Sequence, residues 1–537
     1  MSSNPAVLPS RAPEGVRALT HARACAALLA IVAACAGAAI GLLPPLELAA
    51  LTAGAIAAGL VLLTLAEPLA GLAVALVFAP FAPLENIMLG LPVDSGQAWL
   101  ALAIGAWGLK SLYQRRTDLP AILSVRDRRF GWGVPAALAL FVAVAAASFF
   151  AARSFELWAK ETLKWLEVLA VCLIVAGERS PRRRAVLIGA ILVSGAFQAC
   201  LGIYQFGLRG EGPDEFAILD ERYYRAYGTF EQPNPYGGYL GLVWPVAAGV
   251  ALYLWHRAYR VVRRAYLTTR HLRLTQYALR PTPYTLHPTP YASLALAATA
   301  VAGLCLVALA LSWSRGAWLG AAAAGLVMLI ALPRRPIPSL ILAGLAVALL
   351  AALSGAGALP AFIQSRLADV AAQFQSFDVR GAGITAENYA VIERLAHWQA
   401  AQNMILDRPY TGVGFGNFDA AYEQYRTYAW PTALGHAHNI YLNLWAETGL
   451  FGLLAYLALW ITVIAATLRS AWSTGRLPRS APRLTFAACL AIGLLGAWTH
   501  LAVHQLFDSL YVANTFLLLG AYLGLLESIR HSPISNL

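Results

Sequence analysis

The sequence predicts an all-α polytopic membrane protein, with about 12–14 transmembrane helices and a large extracytoplasmic helical loop. Three observations carry that prediction. Of 537 residues, 59% are hydrophobic and 12% charged, against about half and about a quarter in a soluble domain. Mean hydropathy is +0.61, which excludes a soluble globular enzyme, a disordered chain and a secreted disulfide scaffold. The apolar residues also come in runs of bilayer-crossing length, about 20 residues each.

Those runs lie near 22–42, 47–65, 68–84, 97–113, 133–151, 158–177, 185–206, 236–256, 291–312, 316–332, 338–357, 439–466, 485–506 and 509–528. Helix is the spanning form expected of them, because a helix satisfies its own backbone in lipid. Residues 1–21 are polar, with Arg11 and Arg17, and read as a cytoplasmic tail before an uncleaved first span. The spans group into an N-terminal set (22–206), a central set (236–357) and a C-terminal set (439–528), with a short cytoplasmic tail at 529–537.

Charge then sets the orientation. The net charge of +12 would suggest nucleic acid in a soluble protein, but here it reads as basic cytoplasmic loops, with no nucleic-acid partner. With the N-terminus inside, Lys110 to Arg129, Arg179 to Arg184, Arg257 to Arg280, Arg334 and Arg335, and Arg469 to Arg483 all fall on one side. Both termini are then cytoplasmic. The opposite face receives the two segments 207–235 and 358–438, which are rich in Tyr, Gln, Asn and Gly and are expected to hold the function. On the cytoplasmic side, within the insert 257–290, a degenerate proline-closed repeat begins at Thr275 (TQYALRP, TPYTLHP, TPYA) and continues to residue 292; it reads as disordered. Six cysteines lie inside apolar runs with no CxxC pair, which disfavours disulfides and zinc.

Three segments on the outer face could bear chemistry. Arg225, in Tyr224-Arg225-Ala226-Tyr227-Gly228-Thr229-Phe230, stands just before a span and near Asn234. Arg315, in Ser312-Trp313-Ser314-Arg315-Gly316, lies between two apolar helices, where an arginine costs free energy and is normally kept for a cavity, partner or ligand. The plain alternative for Arg225 is an interfacial arginine in an aromatic belt, and for Arg315 it is snorkelling to the interface. The third, Gly435-His436-Ala437-His438-Asn439, sits where the long outer loop meets a span, and histidine is the commonest general base.

Together these motifs resemble the O-antigen ligase and O-antigen polymerase superfamily of bacterial integral membrane glycosyltransferases, over roughly residues 200–525. The most specific mark is His438-Asn439, nine residues, then Gly449 and Gly452. The Arg225 and Arg315 segments look like the family's two arginine motifs. Glu393-Arg394 to Trp398, followed by Asp407-Arg408-Pro409-Tyr410-Thr411-Gly412-Val413-Gly414, resembles its outer-loop signature. Fourteen spans and the proline-rich insert depart from the usual pattern of about twelve.

The resemblance implies an enzyme of the bacterial cytoplasmic (inner) membrane that moves a glycan from undecaprenyl diphosphate to an acceptor hydroxyl outside the cytoplasm. The acceptor would be lipid A-core, or another glycan in the polymerase alternative; membrane lipid is the remaining partner. His438, Arg225 and Arg315 would be catalytic, and Arg394, Asn234, His436, Asn439, His504 and Asp508 would bind substrate. Neither a cofactor nor a metal is expected, and the product would be inverted. A lipid-linked oligosaccharide flippase or other transporter is the alternative of another class; it would place charge near the membrane midplane.

No Walker A loop, Asp-x-Asp pair or His-Glu-x-x-His motif occurs, and Gly412-Val413-Gly414-Phe415-Gly416 follows no strand, which leaves nucleotide chemistry without its handles. His500, His504 and Asp508 repeat at i, i+4 and i+8, which fits a metal site, the lining of a cavity, or packing. The charged start of the 158–177 run (Glu156, Lys160, Glu161, Lys164, Glu167) reads as paired charges along a helix or as a cavity wall. The segment 361–377 has helical apolar spacing suited to a membrane surface, and helices near 387–406 and 417–427 would cap the site.

Overall fold

The computed structural model describes residues 45–90, 93–117, 133–219, 222–274, 290–332, 336–358, 364, 378–381, 383–385, 388–427, 430–472 and 484–531. They form helices α1 (Pro45–Ala66), α2 (Pro68–Phe78), α3 (Ala82–Leu89), α4 (Ser95–Thr117), α5 (Val134–Ala146), α6 (Phe155–Ala176), α7 (Pro181–Gly207), α8 (Pro233–Leu274), α9 (Pro290–Leu311), α10 (Arg315–Ala331), α11 (Pro336–Gly355), α12 (Tyr389–Asp407), α13 (Phe418–Tyr425), α14 (Ile440–Trp472), α15 (Phe486–His504) and α16 (Thr515–His531). The sheet among the described residues is a two-stranded antiparallel hairpin, Ala217–Ile218 with Tyr223–Tyr224. The protein is an all-α polytopic membrane protein.

Seven of these helical stretches are long and apolar enough to cross a membrane, among the described residues. The run at 22–42 lies outside them, as do 275–289 of the proline-rich repeat and all but residue 364 of the surface segment 361–377. Each of the other apolar runs coincides with a helix. The boundaries follow local chemistry. Ser154, Ser180, Ser314 and Thr485 each accept a hydrogen bond from the backbone N–H three residues on, at 3.1–3.5 Å, and so start α6, α7, α10 and α15.

Two expectations are corrected here. The helix over the 236–256 run continues past it into the cytoplasmic insert expected at 257–290: α8 runs unbroken to Leu274, about 60 Å at 1.5 Å per residue, twice the thickness of a hydrocarbon core. The repeat is also shorter than its sequence suggests, because Pro290 to Ala292 already open α9, with proline where a missing N–H costs nothing.

The buried centre is built from α8, α15 and α16, around Trp498, Tyr522, Tyr236 and Leu517. Lipid tails offer no hydrophobic drive between helices, so close approach has to come from small residues. A Cβ on Gly249 would stand 2.5 Å from the Cys489 carbonyl, and one on Gly493 would stand 2.7 Å from that of Pro245. Outward-facing Ile461, Phe451 and Leu345 are more than half exposed, as lipid-facing side chains are. At the start of α6, Lys160 pairs with Glu156 at 2.6 Å and Lys164 with Glu161 at 2.5 Å, while Glu167 turns to Gln97 at 3.1 Å.

Candidate functional site

The Arg225 segment is held as a rigid bracket. The hairpin ends with the Arg225 amide donating to the Phe216 carbonyl at 2.9 Å, and the Ala226 amide reaches Leu311 at 3.0 Å. Behind the segment, two glutamines of α7 do what a third strand would do. Gln205 accepts from the amides of Tyr227 and Gly228 and donates to the Gly228 carbonyl at 2.8 Å. Gln198 pairs with Thr229 through both its oxygen and its nitrogen. The guanidinium of Arg225 then donates from Nε to the Ser312 carbonyl at 3.0 Å and from Nη2 to Asn234 Oδ1 at 3.2 Å. Both oxygens are neutral. They aim the guanidinium without cancelling its charge, and they tie the first arginine motif to the second.

The histidine motif is placed by a break in a helix. Gly449 has φ 68° and ψ −174°, a region open in practice to glycine alone, and α14 kinks there. The kink costs α14 the bond from the Leu450 amide to the Ala446 carbonyl. The glycine turn of the outer loop replaces it: Val413 donates to the Ala446 carbonyl at 2.9 Å, and Leu450 donates to Pro409 at 2.8 Å. Buried Glu447 completes the joint by accepting from the amides of Gly416 and Phe418, at 3.0 and 3.1 Å. Gly449 and the loop signature are thus two halves of one contact.

Above the kink, α14 begins against the end of α15. Ile440 donates to the Gln505 carbonyl at 3.0 Å, and Asn439 donates from Nδ2 to that of Leu506 at 3.2 Å. Asn439 Oδ1 accepts from the amides of Tyr441 and Leu442, so its side chain sets the helix start and does not reach toward the cavity described below. His438 has φ 51°, an uncommon conformation for a residue with a Cβ, which turns its ring back on the 505–508 turn. Its Nδ1 stands 3.5 Å from Asp508 Oδ1, and His436 Nε2 stands 3.7 Å from the same oxygen. Asp508 is not on the face of α15, as its spacing from His500 and His504 suggested: the helix ends at His504, and a turn carries the carboxylate to the two motif histidines.

Tautomers follow from these contacts. The His438 amide donates to His436 Nδ1 at 3.0 Å, so the hydrogen of neutral His436 lies on Nε2, facing Asp508. Burial first, then neighbouring His438, pushes the His436 imidazole down to about 3 against the pull of Asp508. Burial works against the Asp508 anion, but the hydrogen bond and charge of His438, with His436 and Arg394, hold its carboxyl below the usual carboxylate range.

A cavity of about 80 Å³ opens beside this cluster. That is space for several waters. Arg225, Asn234, Arg315, Arg394, His504 and Asp508 line it, together with Trp313, whose φ of 55° is as unusual as that of His438. Six of the nine residues expected at the site therefore share one cavity. His438 and His436 stand immediately behind Asp508, and Asn439 faces away. Three guanidinium groups and a single carboxylate leave the cavity positive, suited to an anion.

Residues 300–457 match the O-antigen ligase family. The match supports membership of the O-antigen ligase and polymerase superfamily. Arg315, Arg394, His436 and His438 fall inside the match, while Arg225, Asn234, His504 and Asp508 come to the same site from outside it. No match is found among curated proteins.

Several contributors escaped the sequence reading. His397 of α12 is buried, stacks on Tyr422 with centroids 5.0 Å apart, and meets the His438 ring edge-on at 5.6 Å. Burial above all lowers its affinity for a proton. Gln198 and Gln205 had a legible signal, since amides inside an apolar helix need partners. His436, His438 and Asp508 also bring one ligand-type atom each within 4.8 Å of one another, the spacing a metal ion would need.

Proposed function

We propose that this O-antigen ligase-family protein is a glycosyltransferase that takes a glycan from an undecaprenyl-diphosphate carrier and joins it to an acceptor hydroxyl on the extracytoplasmic side of the bacterial inner membrane. The carrying observation is the convergence of Arg225, Arg315 and Arg394 on one cavity whose carboxylate, Asp508, is shared with His438.

In this reading Asp508, 3.5 Å from His438 Nδ1, accepts the Nδ1 hydrogen as substrate draws the ring into the cavity, which leaves Nε2 to take the proton of the attacking hydroxyl. The hydroxyl oxygen bonds to the anomeric carbon as the bond to the carrier diphosphate breaks. The electron pair leaves with that diphosphate, and the proton ends on His438 Nε2. Charge gathers on the leaving oxygens, where guanidinium groups already aimed by Ser312 and Asn234 meet it through charge-assisted hydrogen bonds. A single displacement of this kind inverts the anomeric centre. Lipid A-core is the favoured acceptor, on the His-Asn-x9-Gly spacing. The charges gather at one end of the helix bundle, which supports an enzyme over a transporter.

The test is transfer from purified lipid-linked glycan to lipid A-core and, separately, to a repeat unit. His438→Ala, shown to be folded by its melting curve, is expected to lose about 10²–10⁴-fold in rate. Turnover at the wild-type rate in that variant refutes the base assignment. Dialysis against EDTA in the same assay is expected to leave the rate unchanged. A loss restored by a divalent cation would instead give the His436, His438 and Asp508 cluster to a metal.

A further inference from the structure

Among the described residues that line the cavity, only Trp313 has a positive φ, 55°. Glycine would adopt that backbone freely, whereas a residue with a Cβ holds it only where its surroundings insist. Here they do. Arg225 Nε and the Ala226 amide donate to the Ser312 and Leu311 carbonyls at 3.0 Å each. Ser312 Oγ donates to the Leu309 carbonyl at 2.6 Å and accepts from the Ser314 amide at 3.3 Å. On α8, Gly237 leaves the room that Ser312 needs, since a Cβ there would stand 2.8 Å from its Oγ. Both serines are buried, and the tryptophan between them is half-buried and lines the cavity.

The ring is braced as well as aimed. The Ala310 carbonyl accepts from the Trp313 amide at 3.2 Å and from the Trp318 indole Nε1 at 3.1 Å, and the two indoles meet at 70° with centroids 5.5 Å apart. Residues 312–314 form the crest where α9 ends and α10 begins. An isoprenoid chain, being apolar, lies along the helices below that crest, and the three arginines of the cavity take the diphosphate at it. The group next in line is the sugar. Guanidinium groups serve its oxygens; the C–H face of a pyranose ring calls for an apolar surface. An indole supplies one, and its negative π face attracts the weakly positive C–H hydrogens. Phe507, the other aromatic side chain of the lining, is buried.

We propose that Trp313 is a stacking platform for the first sugar of the donor, and that the left-handed turn at the crest is what presents it. This inference rests on the reading that the arginines hold a lipid-linked diphosphate.

The experiment measures binding of two synthetic short-chain prenyl diphosphates of equal charge, one capped with glucose and the other with a methyl group. Tryptophans are among the side chains whose truncation costs an interface most, so the wild type is expected to bind the glucose-capped ligand about tenfold or more tighter. Trp313→Gly, which removes the ring and the strain together, should bind both ligands alike, with the methyl-capped one held as tightly as by the wild type. That unchanged affinity shows the arginine cavity intact. A Trp313→Gly variant that melts early is replaced by Trp313→Leu, which keeps apolar bulk without a ring face and is read in the same way. Equal binding of the two ligands by the wild type, an undiminished preference in the variant, or an equal loss for both ligands in it overturns the platform while leaving the diphosphate reading intact. Failure of the wild type to bind either ligand overturns both.

Discussion

At the scale of single residues, the site depends on side chains whose charge states burial has decided. His436 is the clearest case. The unfolded chain takes up the proton of this imidazole near about pH 6.5, whereas burial holds it off in the folded protein down to about 3. Between those values the unfolded state binds more protons, so stability falls as pH drops through that window. Asp508 acts with the same sign: its carboxyl is held below the usual range, so its stabilisation is present above the unfolded value of about 3.9 and fades as pH falls below it. Melting temperature in detergent should therefore fall by several degrees from pH 7 to pH 4.5. His436→Gln should flatten that slope, and an unchanged slope in the variant would mean that the titrating group lies elsewhere. Strain belongs to this scale as well. His438 and Trp313 both hold positive φ, and both stand at the cavity or directly behind it, where such conformations collect because they aim a side chain.

At the scale of elements, the kink in α14 deserves its own test, because one glycine joins the membrane helix to the outer loop. A Cβ at Gly449 would sit 2.0 Å from the Tyr410 carbonyl, and the backbone there is closed to other residues. Gly449→Ala must unseat the 409–416 turn or straighten the helix. We expect a loss of about 2–4 kcal/mol in stability, from the left-handed backbone and the clash together, and a fall in transfer rate as His438 shifts. Gly303→Ala is the control: it lies in a helix with nothing within 4 Å of the added carbon and should melt at or above the wild-type temperature. Equal melting of both variants would show that the kink is not needed. The glycine was legible in the sequence as part of a spacing. Its reason was not, since the Gly449–Tyr410 contact joins residues 39 apart in the chain with no periodicity to announce it.

At the scale of the whole molecule, the helices were legible one by one, whereas the convergence of the site was legible only through the family resemblance. An apolar run of about 20 residues must close its own hydrogen bonds, so each span can be read without its neighbours. The site has no such independence. Arg225 meets Ser312, and His438 meets Asp508, only after α8, α9, α14 and α15 have packed, and their packing turns on glycines whose value is invisible in a single sequence. What the sequence offers about the site is an expected side: basic loops at one end, and Arg225, Arg315 and His438 at the other by parity. That orientation can be tested directly in spheroplasts with a membrane-impermeant maleimide. Leu406, at the exposed end of α12, and Tyr259, on the long C-terminal extension of α8, are 80% and 61% exposed. Labelling above the wild-type background is expected for Leu406→Cys in intact spheroplasts, and for Tyr259→Cys only after the membrane is opened. The reverse pattern would place the cavity in the cytoplasm, where a carrier-linked glycan facing the periplasm could not reach Arg225, Arg315 and Arg394, and the proposed transfer would fail with it.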